Sequence, residues 1–510
     1  MRGAIRGAAL AALCLAAAPA AAEPDVTLTA VGGTLTVSGT LRGFDGAVYR
    51  IDTVYGLLTL DAAAVTCAGP GCPDLARFVP AVTVAGEPYP GAALLAALIA
   101  DYAGATGAAL QREEGGGGFT LTLVAEDRAV ATVRFLARDA AGAIGAVEAA
   151  AADLAIVAGE PGGAEGRVLA LDPLMPVVSP GNPVRRITLR DLRAVQAGAI
   201  ANWAAFGGPD MPVALHAYDA SSGLQRQIDA RLGGPPPRGT RRHAGPAAVA
   251  AAVARDPWAL ALVPASHAAG LQVLTVADTC GHVIRPGRFA VKAEDYPLAV
   301  AAHLVAPRRR LPGIGRAILD HAAVPTAQSA MAAAGFADLA PEAQPVTDQG
   351  GRLVNAIRAA GPEVPLAELQ RLVDAMTGAE RLSLTFRFEG GARAFDAASR
   401  THLADLARMI EAGLLDGREL VFAGFSDGDG DARANLALSR ARAQAARAAV
   451  AAAAPLRDPA RVGFAVEAFG EALPIACDDT PLGRQINRRV EVWLRPLAPP
   501  APKPAAKPGD

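Results

Sequence analysis

The hydrophobic rhythm of this chain changes twice, and each change marks a boundary that one core could not span. Residues 24–78 alternate apolar and polar side chains, as in Val26-Thr-Leu28-Thr, Val48-Tyr-Arg-Ile51 and Leu57-Leu-Thr-Leu60. Gly32-Gly33 and Asp45-Gly46 supply the turns, so residues 23–78 are expected to form a small antiparallel β unit. From residue 79 short apolar runs (82–84, 131–136, 154–157, 213–218) alternate with helical stretches such as 91–102, whose Leu94, Leu95, Leu98, Ile99 and Tyr102 share one face. That is an α/β pattern running to about residue 342. A third rhythm begins at Arg381. Leu382, Leu384, Phe386 and Phe388 lie on one side of an extended run, with Ser383, Thr385 and Arg387 on the other. Helix, strand, helix and two more strands follow to residue 496. Between these parts, residues 343–380 hold Pro345, Gly350-Gly351, Gly361-Pro362 and Pro365 and read as a linker with short helices. The Pro/Ala/Lys-rich residues 497–510 read as a disordered tail.

The first 22 residues have the three parts of a secretory signal: Arg2 and Arg6, an apolar core over Ala8–Ala18, and Ala20-Ala21-Ala22 before Glu23. No later run is long and apolar enough for a membrane span, so a periplasmic protein is expected. The formal net charge is -2, or -4 once Arg2 and Arg6 leave with the signal. Neither nucleic acid nor an anionic membrane attracts such a surface. In an oxidising compartment Cys67-Ala-Gly-Pro-Gly-Cys72 reads as a disulfide-closed turn, and no metal-ligand spacing accompanies it. The sequence does not pair Cys280 with Cys477. Seven histidines are present, none in a catalytic motif, and no paired nucleophile and base is visible. No enzymatic activity and no cofactor are expected.

The C-terminal part carries Gly424-x-x-Asp427, Asn435, Leu438-Ser439-x-x-Arg442-Ala443, Gly470-x-x-x-Pro474 and Asn487-Arg488-Arg489-Val490, in that order. A carboxylate and a planar guanidinium suit a zwitterionic amino-acid head, because the fork of an arginine matches a carboxylate. These motifs resemble the OmpA-like peptidoglycan-binding family over residues 381–496. The resemblance implies an α+β domain in which Asp427 meets the ammonium and Arg442 the carboxylate of the diaminopimelate side chain of a wall peptide. Asn435, Arg488 and Arg489 would complete the site, one arginine facing the ligand and the other solvent or a structural carboxylate. Phe425-Ser426 stands where that family often has His or Tyr followed by Thr.

Residues 79–342 resemble the phosphate ABC-transporter substrate-binding family, on the helix at 91–102, Ala152-Asp153-Leu-Ala-Ile156, Asp172-Pro-Leu, Asn182-Pro183-Val184, Tyr218-Asp-Ala-Ser221-Ser222-Gly223 and Ala334-Gly335-Phe336. The resemblance implies a two-lobed type II periplasmic-binding-protein fold. Ser221, Ser222 and Gly223 would hold a small anion, phosphate or another. Two other loops depart from the pattern: Gly86-Glu87-Pro88-Tyr89-Pro90 puts a carboxylate and prolines where hydroxyls belong, and Val157-Ala-Gly-Glu160 lacks the usual Ser-Arg pair. Two readings follow. One is a wall-tethered solute receptor of the outer cell envelope, working with an ABC transporter or another envelope protein. The other is a non-catalytic anchor whose middle domain has lost its solute and meets a protein partner.

Overall fold

The computed structural model describes residues 25–33, 35–164, 166–388 and 394–497, apart from the Ala397 side chain. The expected signal segment and most of the expected tail lie outside these residues. The chain divides into two compact units, residues 1–80 and 81–510.

In the first unit five antiparallel strands follow the order Gly56–Asp61, Val48–Thr53, Thr36–Phe44, Val26–Ala30, Val65–Ala68. Alternation puts Val26, Leu28, Tyr49 and Ile51 on the covered face, and these four form the core. Four large side chains are few for an independent unit. The Cys67–Cys72 disulfide closes the turn after the last strand. Cys67→Ser is expected to lower the stability of this unit by roughly 2–4 kcal/mol. Thermal unfolding of the unit would read the loss, and an unchanged melting curve would show that the bond stabilises nothing.

The second unit contains an 11-stranded mixed sheet among the described residues. One half holds the strands Ala81–Gly86, Ala109–Gly115, Gly118–Ala125, Arg128–Ala137 and Leu154–Ala158. Val82, Val84, Leu94, Leu98, Phe135 and Ile156 belong to its core. The other half holds Ala214–Tyr218, Arg241–His243 and Ala259–Pro264, with a core that includes Trp203, Tyr218, Leu224, Ile228 and Leu260. The 13-residue strand Gly166–Val178 crosses between them. Its first part pairs with Ala299–Val305 and its last part, from Leu174, with Ala259–Pro264. Two lobes therefore share a strand, and the loops entering their helices face one another.

The C-terminal sheet follows the order Ala343–Pro345, Glu380–Phe386, Arg489–Pro496, Arg418–Phe425, Val462–Ala468. Residues 343–380, expected to be a linker, are part of this sheet and its cover. Residues 343–345 form its edge strand, and the helices Gly350–Ala359 and Leu366–Met376 lie on one face. Leu369, Leu372 and Met376 pack there with Val421, Phe425 and Trp493. The prolines and glycines of the segment mark helix ends rather than a flexible connector: Pro365 stands immediately before the second helix. The helices Ala397–Glu411 and Ala432–Ala453 cover the opposite face through Leu406, Ile410, Ala443 and Val450. Both faces of the central strand are thus buried, which is why Leu420-Val-Phe-Ala423 is apolar without a break.

The polar side of Glu380–Phe386 is buried too. Arg381, Ser383, Thr385 and Arg387 are all at most 5% exposed. Arg381 donates two hydrogen bonds to Asp295 of the middle domain, and Arg387 donates to the Glu294 carbonyl. Cys280 and Cys477, unpaired by the sequence reading, form a disulfide across the same seam at a separation of 197 residues.

Candidate functional site

The strand Arg418–Phe425 delivers Ser426 and Asp427 to the start of the helix Ala432–Ala453, whose N-terminus is capped by the Asp431 carboxylate. Strand and helix touch at Gly424, where a Cβ would lie 2.1 Å from the Ser439 carbonyl oxygen. Only glycine allows that approach, and it brings Arg442, one turn further along, to the level of Asp427. Asp427 and Arg442 are each 8% exposed. Arg488 donates from Nη1 to the Asp427 Oδ2 at 2.6 Å. Burial, then the charge of Arg488, push the Arg442 guanidinium below its ordinary value, and Asp427 partly restores it. The three charges share one patch.

Two polar atoms in this patch are buried with no hydrogen-bond partner among the described residues: Arg442 Nη1 and Ser426 Oγ. A buried guanidinium N–H without an acceptor is rare, because its desolvation goes uncompensated. Beside the patch lies a cavity of about 380 Å³ lined by Glu363, Gly428, Glu471, Asp478 and Asp479, among others. Burial and then Glu363, Asp478 and Asp427 raise the Glu471 carboxyl. One side of the site is therefore acidic and the other carries two guanidiniums.

The other expected residues separate. Asn435 is buried and donates to the Asp429 carbonyl, so it holds the loop before the helix. Arg489 is fully buried: it donates to Glu491 and to the carbonyls of Asn487 and Leu473, over the Phe425 ring. Arg488 thus lies in the charged patch with Asp427, and Arg489 is bound within the domain core. Sequence reasoning missed Asp478, which accepts from Gly428 N and from Asn487 Nδ2 and so fixes the loop next to Asp427. Nothing local marks that role, since its partners are 50 and 9 residues away.

In the middle domain Ser221, Ser222 and Gly223 stand at the start of the helix Gly223–Leu232. They do not present an open anion loop. Gly223 N donates to Glu87 Oε1, and Ala158 N donates to Glu87 Oε2 at 2.9 Å. The Glu87 carboxylate, which departs from the hydroxyl pattern expected of the anion loops, thus accepts from both loop N–H groups. Two residues on, Tyr89 donates to Asp172 Oδ2 at 2.7 Å. Burial raises the Asp172 carboxyl to about 7, with the Tyr89 hydrogen bond opposing the shift. Between about pH 4 and 7 only the folded state would keep that proton, so rising pH withdraws up to about 1.4 kcal/mol per unit. Asp172→Asn removes this term. The stability of wild type relative to Asp172→Asn is expected to fall between pH 5 and 7 in urea unfolding, and parallel profiles would show Asp172 ionised throughout.

Residues 61–311 match the family described as PBP superfamily domain, and residues 387–488 match the OmpA family. The chain thus carries a PBP-like domain followed by an OmpA-like C-terminal domain. The PBP match begins inside the first unit, at its fourth strand. Among solved structures, a putative phosphate ABC transporter substrate-binding protein with bound phosphate from Clostridium perfringens is 14% identical, covering 51% of this chain and 99% of its own, at TM-score 0.43. An ABC-type phosphate transport receptor from Vibrio cholerae is 16% identical, covering 50% and 98%, at TM-score 0.40. The peptidoglycan-associated lipoprotein from Burkholderia pseudomallei is 21% identical, covering 22% and 89%, at TM-score 0.20. No curated protein matches the chain. The PBP and OmpA families are in general binding rather than catalytic families. Among the described residues no helix is long and apolar enough to cross a membrane, and no cluster of His, Cys, Asp or Glu is placed to hold a metal.

Proposed function

We propose that the OmpA domain grips the diaminopimelate head of peptidoglycan and holds the PBP domain at the cell wall of the periplasm. The observation that carries this reading is Arg442 Nη1, buried beside Asp427 and Arg488 with no partner among the described residues. A free amino-acid head supplies what the patch lacks. Its carboxylate satisfies Arg442, with Arg488 close by, and its ammonium takes the acidic side with Asp427. The protein is read as non-catalytic. Purified full-length protein should pellet with diaminopimelate-containing sacculi and be released by free diaminopimelic acid. Lysine, which lacks the second amino-acid head, should not release it. Equal release by both would refute recognition of that head.

For the PBP domain two readings stood open: capture of phosphate or another small anion, and an anchor that binds no solute and meets a protein partner such as a transporter subunit. The Glu87 contacts with Gly223 and Ala158 favour the second, because the backbone donors of the loop are already satisfied.

A further inference from the structure

Glu87 leaves the strand Ala81–Gly86 and precedes the helix Gly91–Ala105, both in the first lobe. Ala158 N belongs to that lobe, at the end of the strand Leu154–Ala158. Gly223 opens a helix whose Leu224 and Ile228 pack in the core of the second lobe. One carboxylate therefore takes one N–H from each lobe. It does so 2% exposed, out of reach of bulk water.

The local chemistry is that of an oxyanion seat. Gly223 N is one of the free donors at a helix start, where the dipole adds partial positive charge. Ser222, in the N-cap position, makes no side-chain capping bond, so Glu87 does the capping from another part of the chain. A Cβ at Gly223 would lie 2.4 Å from Glu87 Oε2, so glycine is what admits the carboxylate. Arg226, one turn into the same helix, adds positive charge toward Glu87, while Asp139 opposes it from the cap of the helix Ala140–Glu148. The seat lies where two lobes meet along a shared strand, the place at which a bound solute would join them.

We infer that the Glu87 carboxylate stands in for a solute oxyanion, so that the PBP domain closes on its own side chain and excludes external phosphate or sulfate. The inference rests on reading this domain as a PBP-type scaffold that takes up no solute, and it names the residue that keeps solute out. It also gives the anchor reading a physical basis: a domain whose lobes are joined from within can hold one shape for a partner without a ligand.

The test uses the full chain with its disulfides intact and inorganic phosphate as the probe. Wild type should give no heat in calorimetric titration. Glu87→Ala frees both N–H groups and the space between them, and should bind phosphate. Without phosphate, amide exchange around Ala158 and Gly223 should quicken by about tenfold or more, the worth of one charge-assisted hydrogen bond, and phosphate should reverse it. Glu87→Gln fills the same volume and can accept only one of the two bonds. It should quicken exchange without phosphate binding, which also serves if the alanine variant folds poorly. Phosphate binding by wild type as tight as by Glu87→Ala would overturn the inference. So would Glu87→Ala exchanging no faster, or exchanging faster without gaining phosphate. Sacculus pelleting should be unchanged in every variant, so its loss would count against the wall reading and not against this one.

Discussion

Asp427→Ala is expected to abolish pelleting with sacculi. Asp427 is 8% exposed and bound by Arg488, and its charge acts on the buried Arg442 guanidinium. Removing it leaves two guanidiniums to repel one another with no carboxylate between them, and takes away the charge that would meet a ligand ammonium. Truncating one member of a desolvated charge pair costs about 2–5 kcal/mol, or about thirtyfold in affinity at the low end. Arg442→Lys should also bind weakly, because an ammonium cannot present two parallel N–H groups to a carboxylate. Arg442→Lys keeps the buried positive charge and should keep near wild-type melting behaviour, so its loss of binding separates recognition from stability. Binding of Asp427→Ala at wild-type strength would mean that the wall is gripped elsewhere.

The second large effect concerns stability. Glu491 is fully buried on the strand Arg489–Pro496. It accepts from Arg352 and from Arg489, and its other oxygen takes the Trp493 indole N–H and lies 3.2 Å from Arg381 Nε. Burial alone would raise its carboxyl, but Arg352, Arg381 and Arg489 outweigh it and hold the group well below the usual carboxylate range. Glu491→Ala is expected to cost about 3–5 kcal/mol, because it strands positive charge in the core rather than removing a favourable contact alone. Denaturant unfolding at neutral pH would read the loss. A change under about 1 kcal/mol would show that water or Asp295 takes over the three arginines.

How much of this was legible in the sequence depends on how far apart the partners stand. Asp427 and Arg442 sit 15 positions apart on one strand–helix unit, and local geometry brings them to a common patch. That Arg488 and Arg489 part ways is not legible locally: Arg488 ends a helix and reaches Asp427, while Arg489 opens the next strand and pairs with Phe425 across the sheet. Alternation separated Leu382, Leu384 and Phe386 from Arg381, Ser383 and Thr385. It could not say that the polar side would be buried, since the acids that satisfy it, Asp295 and Glu491, lie 86 and 110 residues away. Glu87 shows the same limit with a reversed sign. A carboxylate in an anion loop looked like a defect of the site, and only the approach of Gly223, 136 residues later, makes it the occupant.

The Cys280–Cys477 bond carries a mechanical consequence. Cys477 N is held by Asp278, Thr279 is bonded to Asp479, and Asp478 between them holds the loop next to Asp427. The stretch of chain that shapes the groove is therefore fastened covalently to the second lobe of the PBP domain. Any tension applied at the groove has a short route through one pair of sulfurs, parallel to the long route through residues 343–380. A protease that cut those residues would leave the two domains on the same tether. Reduction followed by the same cut would remove both covalent connections.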